Sequence, residues 1–216
     1  MKCKIEKVLN NNVILVDNYY GNKAILIGSG LGFKIHPGTN FSDFEKINQI
    51  FVLTNEKNKA NFDTLTNNVD NKLIAIIEEE IDLIQKKLQL NLSENIHVSL
   101  IDHIEFAIDR YNKGLNFNNP FTNDLAILYD SEYELASKLV ERINKEFNAN
   151  LDSEEIGLIA IHIHAAICNE KIEISRRKTV LIQELIVKIY QEFNMEINQS
   201  IIICLSPFAY PYKIFH

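Results

Sequence analysis

Histidine is the residue in this chain best suited to chemistry, and six are present: His36, His97, His103, His162, His164 and His216. An imidazole can exchange protons near neutral pH, ligate a metal or accept a phosphoryl group. His162 and His164 lie two positions apart in Ile161-His162-Ile163-His164. On a helix that separation rotates them by about 200°, so they cannot chelate one ion from a single helix. A metal-dependent hydrolase built on these two is therefore disfavoured, and no metal or cofactor is expected. His103, in Leu100-Ile101-Asp102-His103-Ile104-Glu105, falls about 100° from the centre of the Leu100/Ile104/Ile108 stripe, at the edge of an apolar face where a partner can reach it. Each of these histidines also admits an ordinary reading: a core or boundary imidazole satisfied by a neighbouring carboxylate.

Enzyme signatures are otherwise missing. The sequence contains no HExxH, no G-x-S-x-G and no phosphate loop ending in Lys-Ser/Thr. Gly28-Ser29-Gly30-Leu31-Gly32 is glycine-rich, but Phe33-Lys34-Ile35 follows it where a dinucleotide site needs a helix. Cys3, Cys168 and Cys204 are widely spaced and odd in number, with neither a metal-ligand pattern nor a disulfide framework among them. No signal peptide or membrane-spanning run is present, so a cytoplasmic protein is expected.

A second candidate surface lies near the amino end. Asn10, Asn12, Gly28 and Phe33 combine amides, a glycine and an aromatic ring within a strand-rich segment. Amides and an aromatic on a small sheet can read and stack unpaired bases. The same residue types also simply make turns and fill a core. The net charge of −7 opposes bulk nucleic-acid binding, yet residues 1–55 carry six lysines against four carboxylates. A mildly basic head on an acidic body suggests two modules with different partners. RNA contact by so weakly charged a head would lean on shape, stacking and hydrogen bonds.

The elements that must position these groups follow from pattern. Strands are expected over Cys3–Leu9, Val13–Val16, Lys23–Ile27 and Ile47–Leu53, with extended structure resuming at Gly32–Ile35; Asn10-Asn11-Asn12, Asn18–Asn22 and Pro37-Gly38 serve as turns. Such a sheet is thin for a monomer and is expected to dimerise. From Asn68 the period becomes helical, and about five helices are expected. Leu73 to Leu88 and Leu100 to Tyr111 form the first two. After a loop at Asn118-Asn119-Pro120, capping-box spacing at Ser131–Glu134 opens a third and Asp152–Glu155 a fourth that is apolar nearly all round. Glu170–Arg177 reads as a polar linker, and Lys178–Phe193 as the last helix. The fold class is thus a small antiparallel β domain followed by an all-α helical bundle.

Three segments carry a resemblance. Lys7-Val8-Leu9-Asn10-Asn11-Asn12-Val13 and Ile25 to Phe33 resemble the co-antiterminator RNA-binding domain of the BglG/SacY/LicT family of transcriptional antiterminators. Val98 to Ile108 and Glu155 to Ile163 resemble the two histidine motifs of that family's phosphotransferase regulation domain (PRD). The resemblance implies an RNA-binding domain over 1–56, a first PRD over 65–172, and a linker with the truncated start of a second PRD over 173–216. It implies a homodimer that holds an antiterminator hairpin in the mRNA leader through Asn10, Asn12, Gly28 and Phe33. It also implies phosphorylation of His103 and His162 by a sugar phosphotransferase permease, with the carrier HPr acting on the second PRD. Two departures stand out: Ser29 occupies a position where relatives often have arginine, and His164 one where they usually have an apolar residue. The pattern ends after Ser200, which suggests a truncation without HPr-dependent activation. A module that signals through its histidines but has lost RNA recognition is the alternative.

Overall fold

The computed structural model describes residues 3–115 and 122–193. Its head is one antiparallel sheet of β1 (Cys3–Val8), β2 (Val13–Tyr19), β3 (Asn22–Ile27), β4 (Asn40–Phe41) and β5 (Gln49–Leu53), ordered β4-β1-β2-β3-β5. Helices follow: α1 (Glu56–Asn68), α2 (Asn71–Leu88), α3 (Ile96–Asn112), α4 (Thr122–Leu128), α5 (Asp130–Phe147), α6 (Ser153–Ile167) and α7 (Ile172–Glu192). A small antiparallel sheet followed by helices is the expected class. The loop at Asn118-Asn119-Pro120 and everything from Asn194 onward, including Cys204 and His216, lie outside the described residues.

Alternation along β2 and β3 gives the sheet two apolar faces. Val13, Leu15, Ile25 and Ile27 join Phe51 and Leu53 in a core shared with Phe62 of α1 and Ile77 and Ile81 of α2. Ile14, Val16, Ala24 and Leu26 point the other way, onto Cys3, Ile5, Leu31 and Phe41. The chain's own helices therefore cover one face of the thin sheet. The excursion between β3 and β5 closes the other.

Four local expectations are corrected. Gly32–Ile35 is not extended: residues 29–34 form turns, with Leu31 N donating to Gly28 O at 3.1 Å and Phe33 N to Gly30 O at 3.1 Å. The missing edge strand is β4, paired with β1. Helix α1 has almost no apolar pattern; it buries Asn58, Phe62 and Thr66, and is started by Asn55 Oδ1 accepting from Lys57 N and Asn58 N at 3.0 and 3.2 Å. Helix α5 starts at Asp130, which leaves the Ser131–Glu134 box inside its first turn with no side-chain cap. Finally, residues 172–177 are helix rather than linker. Ser175 of α7 is fully buried, its Oγ donating to Glu170 Oε1 at 2.7 Å, and Thr179 is buried one turn later.

Candidate RNA-reading face and histidine pair

The hairpin turn between β1 and β2 and the turn after β3 meet at one end of the sheet. Asn10 is held in an Asx-type turn, its Oδ1 accepting from Asn12 N at 2.7 Å and Val13 N at 2.8 Å. Asn12 bridges to the second turn: its Oδ1 accepts from Gly30 N at 3.1 Å, and its carbonyl accepts from Gly28 N at 2.9 Å. Close approach explains the glycines. A Cβ on Gly28 would stand 2.0 Å from Lys46 O, and one on Gly32 would stand 2.1 Å from Asn10 O. Phe33 follows directly and is 60% exposed, with Lys34 Nζ 5.1 Å from its ring centre. A large aromatic left in solvent beside fixed amides is a surface on which a base can stack. All four residues singled out from the sequence thus sit on two adjoining turns; Gly28 is buried and serves as scaffold.

Sequence reasoning missed the group that occupies the amides. Glu79 of α2 accepts through Oε1 from Asn10 Nδ2 at 3.0 Å and from Asn12 Nδ2 at 3.3 Å. Its other oxygen pairs with Arg142 of α5, which also holds Glu80 at 2.7 Å. The helical module therefore reaches the candidate reading face through one carboxylate.

The histidines form a second site. Packing of α3 on α6 brings the rings of His103 and His162 to 4.9 Å between centres. His103 Nε2 lies 3.1 Å from Glu155 Oε2, while Arg110 pairs with the other oxygen of Glu155. His103 is less accessible than its helical position suggested, with 11% of its side chain exposed. Burial first, then the Arg176 and Arg110 charges, lower its pKa to about 4 against the opposing pull of Asp102. His162 is more deeply buried and is pushed well below the usual range by burial, His103 and Arg176. Neither of its ring nitrogens has a hydrogen-bond partner among the described residues. His162 also borders a cleft of about 830 Å³, along with Asn58, Asn95, Ser99, Lys171 and Arg177. A neutral imidazole keeps a nitrogen lone pair available at neutral pH, as phosphoryl acceptance requires. Arg110 and Arg176 supply positive charge to the same place. One signal for this quartet was present in the sequence: His103/Arg110 and Glu155/His162 are each seven apart, two helical turns on one face.

The other described histidines differ. His97 Nδ1 is 2.7 Å from Glu78 Oε2 in the core, a buried structural pair whose other carboxylate oxygen, Glu78 Oε1, has no hydrogen-bond partner among the described residues. His164 faces away from His162; its Nδ1 lies 2.9 Å from Glu132 Oε1 and its ring is 4.6 Å from that of Tyr129.

Such an arrangement defines a two-module protein, a sheet whose turns present an exposed aromatic and braced amides, joined to a helical module carrying paired, neutral histidines. Comparison with known proteins agrees. The CAT RNA binding domain matches residues 3–60 and the PRD domain residues 78–166. Transcription antiterminator LicT of Bacillus subtilis is 33% identical over 197 residues, covering 91% of this chain and 71% of the relative. The PtsGHI operon antiterminator of the same organism is 34% identical, covering 91% and 69%. Among solved structures, the crystal structure of GlcT CAT-PRDI superposes with a TM-score of 0.64 at 36% identity, covering 77% of this chain and 99% of that one. The chain belongs to the family that joins a CAT RNA-binding domain to a PRD, the family of the LicT and GlcT antiterminators. No helix among the described residues is long and apolar enough to cross a membrane.

Proposed function

We propose that this chain is a cytoplasmic transcription antiterminator whose head holds a hairpin in the leader of a nascent mRNA. Holding that hairpin excludes an overlapping terminator, so polymerase reads on. The observation that carries this reading is the exposed Phe33 ring beside the braced amides of Asn10 and Asn12. Stacking and amide hydrogen bonds suit the unpaired bases of a loop or bulge, and they need little net positive charge. A gel-shift titration with the hairpin from the chain's own upstream leader tests it. Micromolar or tighter binding that Phe33→Ala weakens is expected; equal binding by parent and variant would remove Phe33 from the site.

His103 and His162 are the phosphoryl acceptors in this reading, with a sugar phosphotransferase permease as donor. A phosphoryl group brings about 1.5 to 2 negative charges. Placed between Glu155, Arg110 and Arg176, it attracts the guanidiniums and repels the carboxylate. That loosens the α3–α6 contact that now holds the rings together.

The functional unit is a homodimer in this reading. Leu181, Leu185 and Ile189 are exposed on α7 at helical spacing, and a second copy is the occupant assigned to that row. Sedimentation should give a dimer that Leu185→Glu weakens; a monomeric parent at micromolar concentration would refute it.

A further inference from the structure

The sequence left His164 without a role. In the fold, His164, Cys168 and Glu170 gather at the C-terminal end of α6, each offering a ligand atom within 4.8 Å of the others. We propose that these three side chains bind a divalent transition-metal ion, with Zn²⁺ as the fitting occupant and water in the fourth position.

The geometry supports this in several ways. His164 of α6 and Cys168, which caps the helix in helical conformation with its N donating to His164 O at 2.9 Å, are four apart and so share one face, as His162 and His164 do not. His164 Nε2 stands 3.4 Å from Cys168 Sγ. Two ligands bound tetrahedrally to Zn²⁺ at about 2.0 and 2.3 Å are separated by about 3.5 Å, so the pair is nearly set for an ion. The other ring nitrogen is already committed, since Nδ1 lies 2.9 Å from Glu132 Oε1. A carboxylate on Nδ1 fixes the tautomer that turns the Nε2 lone pair outward, the usual outer-shell partner of a metal-bound histidine. Tyr129 packs against the ring and limits its rotation.

Glu170 is oriented from α7. Its Oε1 accepts from Ser175 Oγ at 2.7 Å and its Oε2 from Lys178 Nζ at 2.6 Å. A carboxylate offers about four lone-pair positions, so both contacts leave room for a metal bond. Cys168 is exposed, which provides an entry path. One nitrogen, one thiolate and one carboxylate oxygen suit Zn²⁺, whereas Mg²⁺ and Ca²⁺ take all-oxygen sets. On binding, the Cys168 thiol gives its proton to solvent and the sulfur electron pair forms the bond to the metal. The ion would clamp the end of α6 to the start of α7, the helix that carries Arg176 toward the histidine pair.

Cobalt(II) titration of the metal-free full chain is the test, because a Co²⁺–thiolate bond has its own charge-transfer absorption. The parent should develop that band and tetrahedral d–d bands at equimolar Co²⁺, and Zn²⁺ should bleach both. Cys168→Ser should abolish the charge-transfer band with an unchanged far-UV spectrum. His164→Ala and Glu170→Ala should weaken binding at least about tenfold, and Glu132→Gln about ten- to a hundredfold with the band retained. Cys204→Ser and His216→Ala should behave as the parent. A parent without the band, a band that survives Cys168→Ser, or one lost in Cys204→Ser would overturn the proposal.

Discussion

Under the proposed reading, Glu79 acts as a brake on the RNA-reading face. Its Oε1 holds Asn10 Nδ2 at 3.0 Å and Asn12 Nδ2 at 3.3 Å. The oxygens of both amides already accept from backbone N–H groups of the turns themselves. Glu79 therefore competes with RNA for one of the two N–H donors on each amide, and holds both amides in their present orientation. A hydrogen bond to a charged group contributes about 1.5 to 3 kcal/mol; the Asn12 bond is longer and exposed, so the lower figure suits the pair. At ~1.5 kcal/mol the amides are free in roughly a tenth of molecules, and apparent RNA affinity falls by about tenfold. Replacement of Glu79 by alanine should recover that tenfold. Arg142 keeps Glu80 at 2.7 Å, so no guanidinium is stranded. Glu79→Gln, which retains an acceptor but no charge, should fall between parent and alanine. Fluorescence anisotropy with the leader hairpin measures all three proteins. If the alanine variant bound the hairpin no better than the parent, with an unchanged melting temperature, the carboxylate would not be a brake on the head.

Four other outcomes are expected. Phe33→Ala should cost about 1 to 3 kcal/mol of RNA binding while leaving chemical denaturation unchanged within about 0.5 kcal/mol, since the ring is 60% exposed. Gly28→Ala forces a Cβ to 2.0 Å from Lys46 O and should destabilise the head by about 1 to 3 kcal/mol in urea unfolding; a neutral result would mean the two turns can part without loss. His103→Ala should take up less radiolabelled phosphate from the permease than the parent, and equal labelling would exclude His103 as an acceptor. His103 is neutral in the fold because its pKa is lowered to about 4, whereas the unfolded chain protonates it near its ordinary value of about 6.5. The unfolded state thus binds more protons across that window. Stability should fall as pH drops from about 6.5 toward 4, by on the order of 3 kcal/mol, and His103→Gln should flatten the slope.

Much of the head was legible because turn chemistry is local. Asn10-Asn11-Asn12 and the glycines after Ile27 announce turns by residue type, and alternation in β2 and β3 announces strands. The sequence could not show that Asn10 and Asn12 would meet a carboxylate 69 and 67 residues away. Helix α1 was hidden because two of its three buried residues, Asn58 and Thr66, are polar. Asn58 is buried at no cost in unpaired groups: its side chain donates to Glu94 Oε1 at 3.1 Å and to Asn95 Oδ1 at 2.9 Å. The first turn of α7 was read as linker for the same reason, since Ser175, its buried residue there, is polar and is satisfied by Glu170.

The sequence alone determined the order of the modules, the period of most of their elements and the motifs that mark the family. Those properties depend on neighbours a few positions away, through backbone sterics and the spacing of apolar side chains. Only the tertiary structure decided which charge stands beside which amide or imidazole. Glu79 on Asn10, Arg110 on Glu155, His103 against His162, and His164 beside Cys168 and Glu170 all follow from how helices and turns come together. Local pattern places a side chain on a face; packing chooses the partner across from it, and electrostatics acts over those few ångströms between them.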